Sequence, residues 1–169
     1  RIRLTEEGIC VYNITRNYRQ KLKKYGAEIY EYRGVKFIGI KNPYSDNNMA
    51  ITFGNEENVM EFTYQTARFA ASDLDGLIAH AEKFLKNELC AAEFFLGGKR
   101  LFGGSRTVAG AGFNSLDELL AWYCGGNEKI AENLRGFFKN DGITLAALCW
   151  NGKADRHVRI LPDGKIENI

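Results

Sequence analysis

Short stretches in which apolar and polar residues alternate are the feature that most limits how this chain can fold. Apolar residues take every second position from Met49 to Phe53 and again from Met60 to Tyr64. A period of two places the apolar side chains of a strand on one face and the polar ones on the other. Because antiparallel sheets commonly keep one wet face, the pattern predicts antiparallel strands with a single buried face.

Turn-forming residues separate further extended segments in the first half of the chain. Segments 27–33 and 35–41 are rich in Ile, Val, Tyr and Phe, and they flank Gly34. This arrangement predicts a hairpin. The stretch 42–48 is dense in Asn, Ser, Asp and Pro, which is typical of a loop. The first half is therefore expected to be an antiparallel meander.

Two more hairpins are predicted in the second half. The glycine pair at 97–98 follows an apolar strand at 90–96, and the pair at 103–104 is expected to interrupt the return strand early. A near-continuous apolar run at 143–150 is typical of a central strand covered on both faces. The Asn-Gly pair at 151–152 then predicts a tight hairpin turn.

Helical spacing and capping patterns predict about three to four helices. One is expected over 14–25 and another over 128–139, where apolar residues recur at helical spacing. Capping boxes at Ser72 and Ser115 predict two more helix starts. The predicted fold is a single α+β domain over 1–169, with a mostly antiparallel sheet built from hairpins and a meander, and with the helices packed on it.

Composition excludes several classes of protein. The chain has 23 Lys+Arg against 21 Asp+Glu, a net charge of +2, which is too small to imply nucleic acid or an anionic membrane surface by itself. No apolar run approaches the roughly 20 residues that a membrane span needs. The cytoplasm is the default expectation for its location, with a leader removed before Arg1 as the open alternative.

The 4 cysteines show no metal-binding spacing. They lie far apart with no C-x-x-C pair, so neither a metal nor a cofactor is predicted. Three of them stand in apolar runs and are expected to be small core residues, while two disulfides are the alternative. The cysteines are Cys10, Cys90, Cys124 and Cys149.

Tyrosines are concentrated near the N-terminal end, where 7 of the 8 fall within the first 64 residues. Tyr30 and Tyr32 are expected to share one strand face with Glu28. Tyrosine is enriched at protein interfaces because it offers a large contact area at a small entropy cost. These residues therefore predict a contact surface, and packing within a tyrosine-rich sheet is the alternative.

A glycine-rich stretch at 97–106 carries the three cations Lys99, Arg100 and Arg106. Exposed backbone N–H groups beside cations can hold a phosphate or a carboxylate. The stretch lacks both the Walker spacing and the dinucleotide fingerprint. A hairpin turn followed by a β-bulge is the favoured interpretation.

Asp155, His157 and Arg159 are expected to alternate along one strand face in the closing hairpin. A carboxylate that orients an imidazole is half of a catalytic arrangement, but no nucleophile is placed beside it. His80 is the other histidine and lies far away in sequence. A polar hairpin strand is therefore favoured.

The predicted helix over 14–25 is strongly basic, with Asn13 as its N-cap and Gly26 after its C-terminal end. Its cations could follow a phosphate backbone while Tyr18 or Tyr25 stacks on bases. A solvated helix face, neutralised by nearby glutamates, is the favoured alternative.

A succession of short motifs over roughly 49–161 resembles small, poorly characterised bacterial α+β families, some of them immunity-like proteins associated with toxin systems. Members often carry a histidine pair in the strand equivalent to 60–69, where this chain has Thr66, Arg68 and Phe69. The resemblance implies a protein that blocks or accompanies another protein, and no catalytic role is carried over. The motifs are Met60 to Phe69, Asp73-Leu74-Asp75, Gly97-Gly98-Lys99, Gly103-Gly104-Ser105, and Trp150-Asn151-Gly152-Lys153 with Asp155.

The sequence thus favours a non-enzymatic protein-interaction domain, immunity-like on the strength of the resemblance. Its partner is expected to be another protein, with a homo-oligomer as a further option. One alternative is a small-ligand or enzyme domain with a cleft near the Gly-rich turn and the closing hairpin, and a second is nucleic-acid binding through the basic helix. The candidate binding residues are Tyr30, Tyr32, Lys99, Arg100, Arg106, Trp150, Asp155 and His157.

Overall fold

Two antiparallel sheets and four α-helices make up the part of the chain that the computed structural model describes, which is residues 6–54, 57–63 and 68–169, with side chains from residue 13 onward. The predicted α+β class with mostly antiparallel strands is therefore confirmed. The strands are β1 Glu28–Tyr32, β2 Val35–Ile40, β3 Met49–Phe53, β4 Asn58–Phe62, β5 Arg68–Ala71, β6 Leu89–Leu96, β7 Lys99–Thr107, β8 Ile143–Cys149, β9 Arg156–Ile160 and β10 Ile166–Asn168. The helices are α1 Glu6–Leu22, α2 Leu74–Leu85, α3 Leu116–Cys124 and α4 Glu128–Phe137, and a 3₁₀ turn, Lys23–Tyr25, follows α1.

The chain divides into two compact units, the first ending at Leu85 and the second beginning at Lys86. The first unit contains α1, α2 and a sheet in which β1 to β5 lie in sequence order. The second contains α3, α4 and a sheet with the strand order β10-β9-β8-β6-β7. That the chain is a single domain stays a prediction.

The first sheet is the predicted meander, and its register gathers the apolar residues on one face. Ile38 pairs with Ile51, which pairs with Met60, and all three are fully buried. Directly paired residues of antiparallel strands share a face, so this face forms the core of the unit. Helix α1 packs over β1–β3 and α2 over β4 and β5. The predicted alternation at 49–53 is confirmed, while positions 64 and 65 lie outside the described residues.

Helix α1 differs from its prediction at the N-terminal end. It begins at Glu6, so Asn13 lies inside the helix and the predicted N-cap is wrong. Gly26 adopts a φ of 82° just after the 3₁₀ turn, as expected of a residue that ends a helix.

Helix α2 packs against the sheet through aromatic contacts. Phe84 meets the ring of Phe62 edge-on at 5.3 Å, and His80 stacks on Phe69 with the ring centres 3.9 Å apart. The helix begins at Leu74, one position later than a box capped by Ser72 predicts, and the N–H of Leu77 donates to the carbonyl of Asp73. Burial lowers the pKa of His80 below its usual value of 6.5, and the nearby charge of Lys83 lowers it further.

We expect the first unit to lose stability as the pH falls through 6.5, because the unfolded chain takes up a proton at His80 that the folded chain resists. The contribution is fully present above 6.5 and declines until the pH reaches the lower folded-state pKa. His80→Phe keeps an aromatic ring on Phe69 and removes the titration. Urea unfolding from about pH 8 to about pH 5 measures the effect. Equal pH dependence in the two proteins would contradict the prediction.

The second sheet has its core on the face that carries Phe94, Leu145 and Val158, which are register partners and fully buried. Helices α3 and α4 contribute Leu119, Ala131 and neighbouring side chains to the same core. Strand β8 is central, as predicted, but only every second residue of it is fully buried. The expected cover on both faces is complete on one face only, because the alternate positions, which are mostly apolar too, are half-buried.

The helix start predicted at Ser115 is confirmed, and α4 has a side-chain cap as well. The hydroxyl of Ser115 accepts a hydrogen bond from the N–H of Glu118 at 3.2 Å, whereas the carboxylate of Glu118 accepts from the N–H of Asn114. Asn127 caps α4 in the same way. Ile130 is 47% exposed, and Ala131 lies on the buried face of α4.

Strand β7 runs without interruption through the glycine pair at 103–104, so the predicted break is wrong. The register shifts earlier, between Phe94 and Phe95 of β6, which gives the bulge that the sequence favoured. Gly103 is required for close packing, because a Cβ there would lie 2.6 Å from the carbonyl oxygen of Ala92 and 2.8 Å from Cγ of Glu93.

We expect Gly103→Ala to lower the free energy of unfolding by about 1–3 kcal/mol, since the added methyl group meets backbone atoms that cannot swing aside. Gly136→Ala is the matched control in α4, where no atom lies within 4 Å of the new Cβ. That change should raise stability by about 0.5–1 kcal/mol through helix propensity. Urea unfolding of the two variants compares them directly, and equal effects would contradict the packing explanation.

Candidate binding groove on the first sheet

The face of the first sheet opposite its core combines aromatic, small and charged residues. Its register runs from Glu28 to Gly39, Ala50 and Glu61, so these residues share a face. We call this the tyrosine face. It consists of Glu28, Tyr30, Tyr32, Val35, Phe37, Gly39, Lys41, Asn48, Ala50, Thr52, Val59, Glu61, Thr63, Arg68 and Ala70.

A groove of about 330 Å³ lies on this face. Its volume is at the lower end of the range for ligand sites in proteins. Most of its lining belongs to the tyrosine face, and the remaining residues stand at the adjoining ends of β2, β3 and β4. The lining residues are Tyr30, Phe37, Gly39, Ile40, Lys41, Asn48, Met49, Ala50, Glu61, Phe62 and Thr63.

An aromatic wall and a glycine floor shape one end of the groove. The rings of Tyr30 and Phe37 stack with their centres 5.8 Å apart. A Cβ at Gly39 would lie 2.6 Å from two ring carbons of Tyr30, so only glycine lets this ring lie flat on the sheet. Tyr30 is nevertheless 38% exposed, which leaves part of its ring available for contact.

Polar groups shape the other end, where the loop between β2 and β3 is held by its own hydrogen bonds. The side-chain oxygen of Asn48 accepts from the N–H of Asn42 at 2.9 Å, and the N–H of Asn48 donates to the hydroxyl of Thr63 at 3.1 Å. Lys41 is exposed and Glu61 is half-buried. The groove therefore offers one cation and one carboxylate beside a fixed loop.

Apolar surface continues from the groove to the tip of the β1–β2 hairpin. Tyr32 is 65% exposed and its register partner Val35 is 51% exposed. Arg33 and Gly34 both adopt positive φ angles, as a tight two-residue hairpin turn requires. The guanidinium of Arg33 lies 5.2 Å from the ring centre of Tyr32. Both tyrosines predicted to make contact therefore lie on one continuous surface.

The arginines predicted as binding residues in the second unit make internal contacts. Arg100 pairs with the buried carboxylate of Glu93 at 3.1 Å; burial raises the pKa of Glu93 and the charge of Arg100 opposes that rise. Arg106 donates to the carbonyls of Tyr123 and Ser105 at 2.6 and 2.7 Å, and its guanidinium lies 4.0 Å from the ring centre of Tyr123. Arg106 therefore joins β7 to α3.

The closing hairpin does not form the predicted alternation of Asp155 with His157. Strand β9 begins at Arg156, and the carboxylate of Asp155 accepts a hydrogen bond from the N–H of Cys149 at 2.7 Å. The loop at 150–155 is longer than the tight turn expected from the Asn-Gly pair, and the carboxylate of Asp155 ties it to the end of β8. His157 is exposed on β9, Trp150 is buried, and Lys99 is exposed at the start of β7. These residues do not line the groove on the first sheet.

The basic helix uses its tyrosines and several cations internally. The hydroxyls of Tyr18 and Tyr25 donate to Asp75 and Glu82 at 2.8 and 3.1 Å. Arg19 pairs with Glu28 at 2.9 Å. The ammonium groups of Lys21 and Lys24 lie 3.7 and 3.6 Å from the carboxylates of Asp75 and Glu82. Carboxylates therefore lie beside the cations, although these two come from α2, which sequence spacing did not indicate.

Comparisons with protein-family models, curated proteins and solved structures gave no match. Among the described residues, no group of three or more His, Cys, Asp or Glu side chains is placed to hold a metal ion. In the same part of the chain, no helix is long and apolar enough to span a membrane.

The contact between Tyr30 and Gly39 leads to a test of the groove itself. Gly39→Ala should force the Tyr30 ring off the floor and lose stacking worth about 0.5–1.5 kcal/mol. In a Tyr30→Ala background the same change should cost much less, because the clash is gone. A double-mutant cycle of unfolding free energies measures this coupling. Additive effects would show that the ring does not lie on Gly39 in solution.

Proposed function

We propose that this chain is a non-catalytic protein-interaction domain that binds a segment of another protein along the tyrosine face. The observation that carries the proposal is the half-exposed ring of Tyr30, stacked on Phe37 above the floor at Gly39. Aromatic side chains in such settings dominate binding energy at protein interfaces. An immunity-like role, in which the bound protein is a toxin, is the specific form that the sequence resemblance supports.

The dimensions of the groove favour an extended segment. Phe37, Gly39 and Lys41 mark its length along β2, and four residue steps correspond to about 13 Å of extended chain. A bulky apolar side chain fits against Tyr30, with an acidic group near Lys41 and a basic group near Glu61. The segment that fits best is therefore short, extended and of mixed charge.

The surroundings of the groove favour a protein over a small molecule. Stable interfaces bury about 800 Å² on each partner, which is more than a groove of this size offers alone. Tyr32 and Val35 extend the contact surface beyond the groove, and both are more than half exposed. A free small molecule in the groove would leave this adjoining apolar surface in water.

The two alternatives have less support from the contacts of their residues. Arg106 and Asp155 are engaged in backbone hydrogen bonds, which leaves neither placed for a reaction beside His157. On the basic helix, the hydroxyls of Tyr18 and Tyr25 are held by carboxylates of α2, which would repel phosphate. Neither arrangement brings several unengaged polar groups to one point.

The proposal predicts that Tyr30→Ala weakens binding to the partner at least tenfold, which corresponds to about 1.4 kcal/mol or more. The full chain is immobilised, lysate of the source cell is passed over it after nuclease treatment, and retained proteins are identified by mass spectrometry. The affinity of the purified partner is then measured for each variant. Tyr44→Ala is the matched control, because Tyr44 is 61% exposed but does not line the groove.

A partner that binds the wild type and Tyr44→Ala equally, but Tyr30→Ala weakly, supports the proposal. Equal binding by all three proteins places the interface elsewhere and contradicts it. Retention that disappears with nuclease would point to nucleic acid, and a bound small molecule found by native mass spectrometry would point to the ligand alternative.

A further inference from the structure

Two cysteines stand directly opposite each other in the second sheet. Cys90 on β6 and Cys149 on β8 are register partners, and both are free and buried, at 1% and 9% exposure. They share a small apolar cluster with Ala147. Their two thiols therefore project from the same face of adjacent strands.

The hydrogen bonds of Cys149 show which kind of pair this is. Its N–H donates to Asp155, which precedes β9, and so it points away from β6. Within a strand, the N–H and C=O of one residue point to the same side, so Cys149 does not bond to Cys90 through the backbone. Opposed residues without mutual backbone bonds are the closer type, with Cα atoms about 4.5 Å apart. Disulfides need Cα separations of about 4.4–6.8 Å.

We propose that Cys90 and Cys149 form a dithiol that a hydroperoxide converts to a disulfide joining β6 and β8. Cys149 is the attacking sulfur, because it stands at the end of its strand beside the loop at 150–155. Its Sγ accepts a hydrogen bond from the N–H of Ala154 at 3.3 Å, which stabilises negative charge on the sulfur. Cys90 is the resolving sulfur.

The pKa values agree with this division of roles. Burial raises the pKa of Cys90 to about 12, so this thiol is almost never a thiolate at neutral pH. Burial also raises the pKa of Cys149, and the neighbouring carboxylate of Asp155 adds to the rise, but the N–H groups of Ala154 and Gly152 oppose it. Both raised pKa values make the reaction slow. A small oxidant such as hydrogen peroxide reaches two buried thiols more easily than a bulky disulfide does.

The reaction balances in two steps. The thiolate of Cys149 attacks one oxygen of hydrogen peroxide, the O–O bond breaks, and a sulfenic acid and hydroxide form. The sulfur of Cys90 then attacks Sγ of Cys149, the S–O bond breaks, and a second hydroxide leaves. The two thiol protons convert the hydroxides to water. The sulfurs lose two electrons in total, and the peroxide gains them.

The test uses the full chain with Cys10→Ser and Cys124→Ser, so that only the opposed pair remains. After treatment with hydrogen peroxide we expect the mass to fall by two hydrogens and the titratable thiols to fall from two to none. Digestion without reductant should give the Cys90 and Cys149 peptides linked together. The Tm should rise by several degrees, because the bond closes a long loop, and dithiothreitol should reverse every change.

Cys149→Ala in the same background is the control, and it should show neither the linked peptides nor the rise in Tm. The proposal is overturned if the folded protein gains two oxygens as a sulfinic acid at Cys149 instead of forming the link. It is also overturned if the link forms only in urea, since the native register is then not what brings the sulfurs together. The comparison of the folded with the urea-unfolded protein uses only the chain that keeps both Cys90 and Cys149. It therefore remains possible even if Cys149→Ala folds poorly.

Discussion

The register of the antiparallel meander determines both faces of the first sheet. Pairing Ile38 with Ile51 and Met60 places three fully buried side chains under the helices. A slip of one residue in any strand would turn its apolar side chains to the other face. Because each such side chain contributes about 1.5–3 kcal/mol when buried, the slipped pairings are strongly disfavoured.

The same register frees the opposite face from most packing constraints. Which residues fit on this face depends on their contacts with one another and not on packing in the core, as Gly39 shows. Its missing side chain lets Tyr30 lie on the sheet, and the ring then stacks on Phe37. Residues on this face take no part in packing the core. They can therefore be used for binding, while the residues of the opposite face stabilise the fold.

The sequence predicted those features that depend on local pattern. The strand at 49–53, the hairpin around Gly34 and the serine cap of α3 follow from a short period or a turn residue. The sequence pattern does not separate strand β5 from the strand before it, because the residues up to Phe69 read as one extended stretch. Tyr30 and Tyr32 are predicted as contact residues from the concentration of tyrosines near the N-terminal end and from their shared strand face, and both are exposed on that face.

Features that depend on register were not visible. Gly39, Lys41 and Glu61 carry no local motif, and only the pairing of β2, β3 and β4 brings them into one groove. The carboxylate of Asp155 was predicted to face His157, but a backbone N–H across the loop holds it. Loop hydrogen bonds of this kind depend on the exact path of the chain, which composition and spacing leave open.

Strand β1 is the outer strand of its sheet, with β2 as its paired neighbour. An outer strand rich in Ile and Tyr is a template for fibril growth, and proteins commonly guard such strands with charge. Glu28 and Glu31 put a carboxylate on each face of β1. In the in-register stacking of amyloid, each glutamate would lie against its own copy. The strand therefore carries built-in protection against self-templated aggregation, although its tyrosines remain accessible.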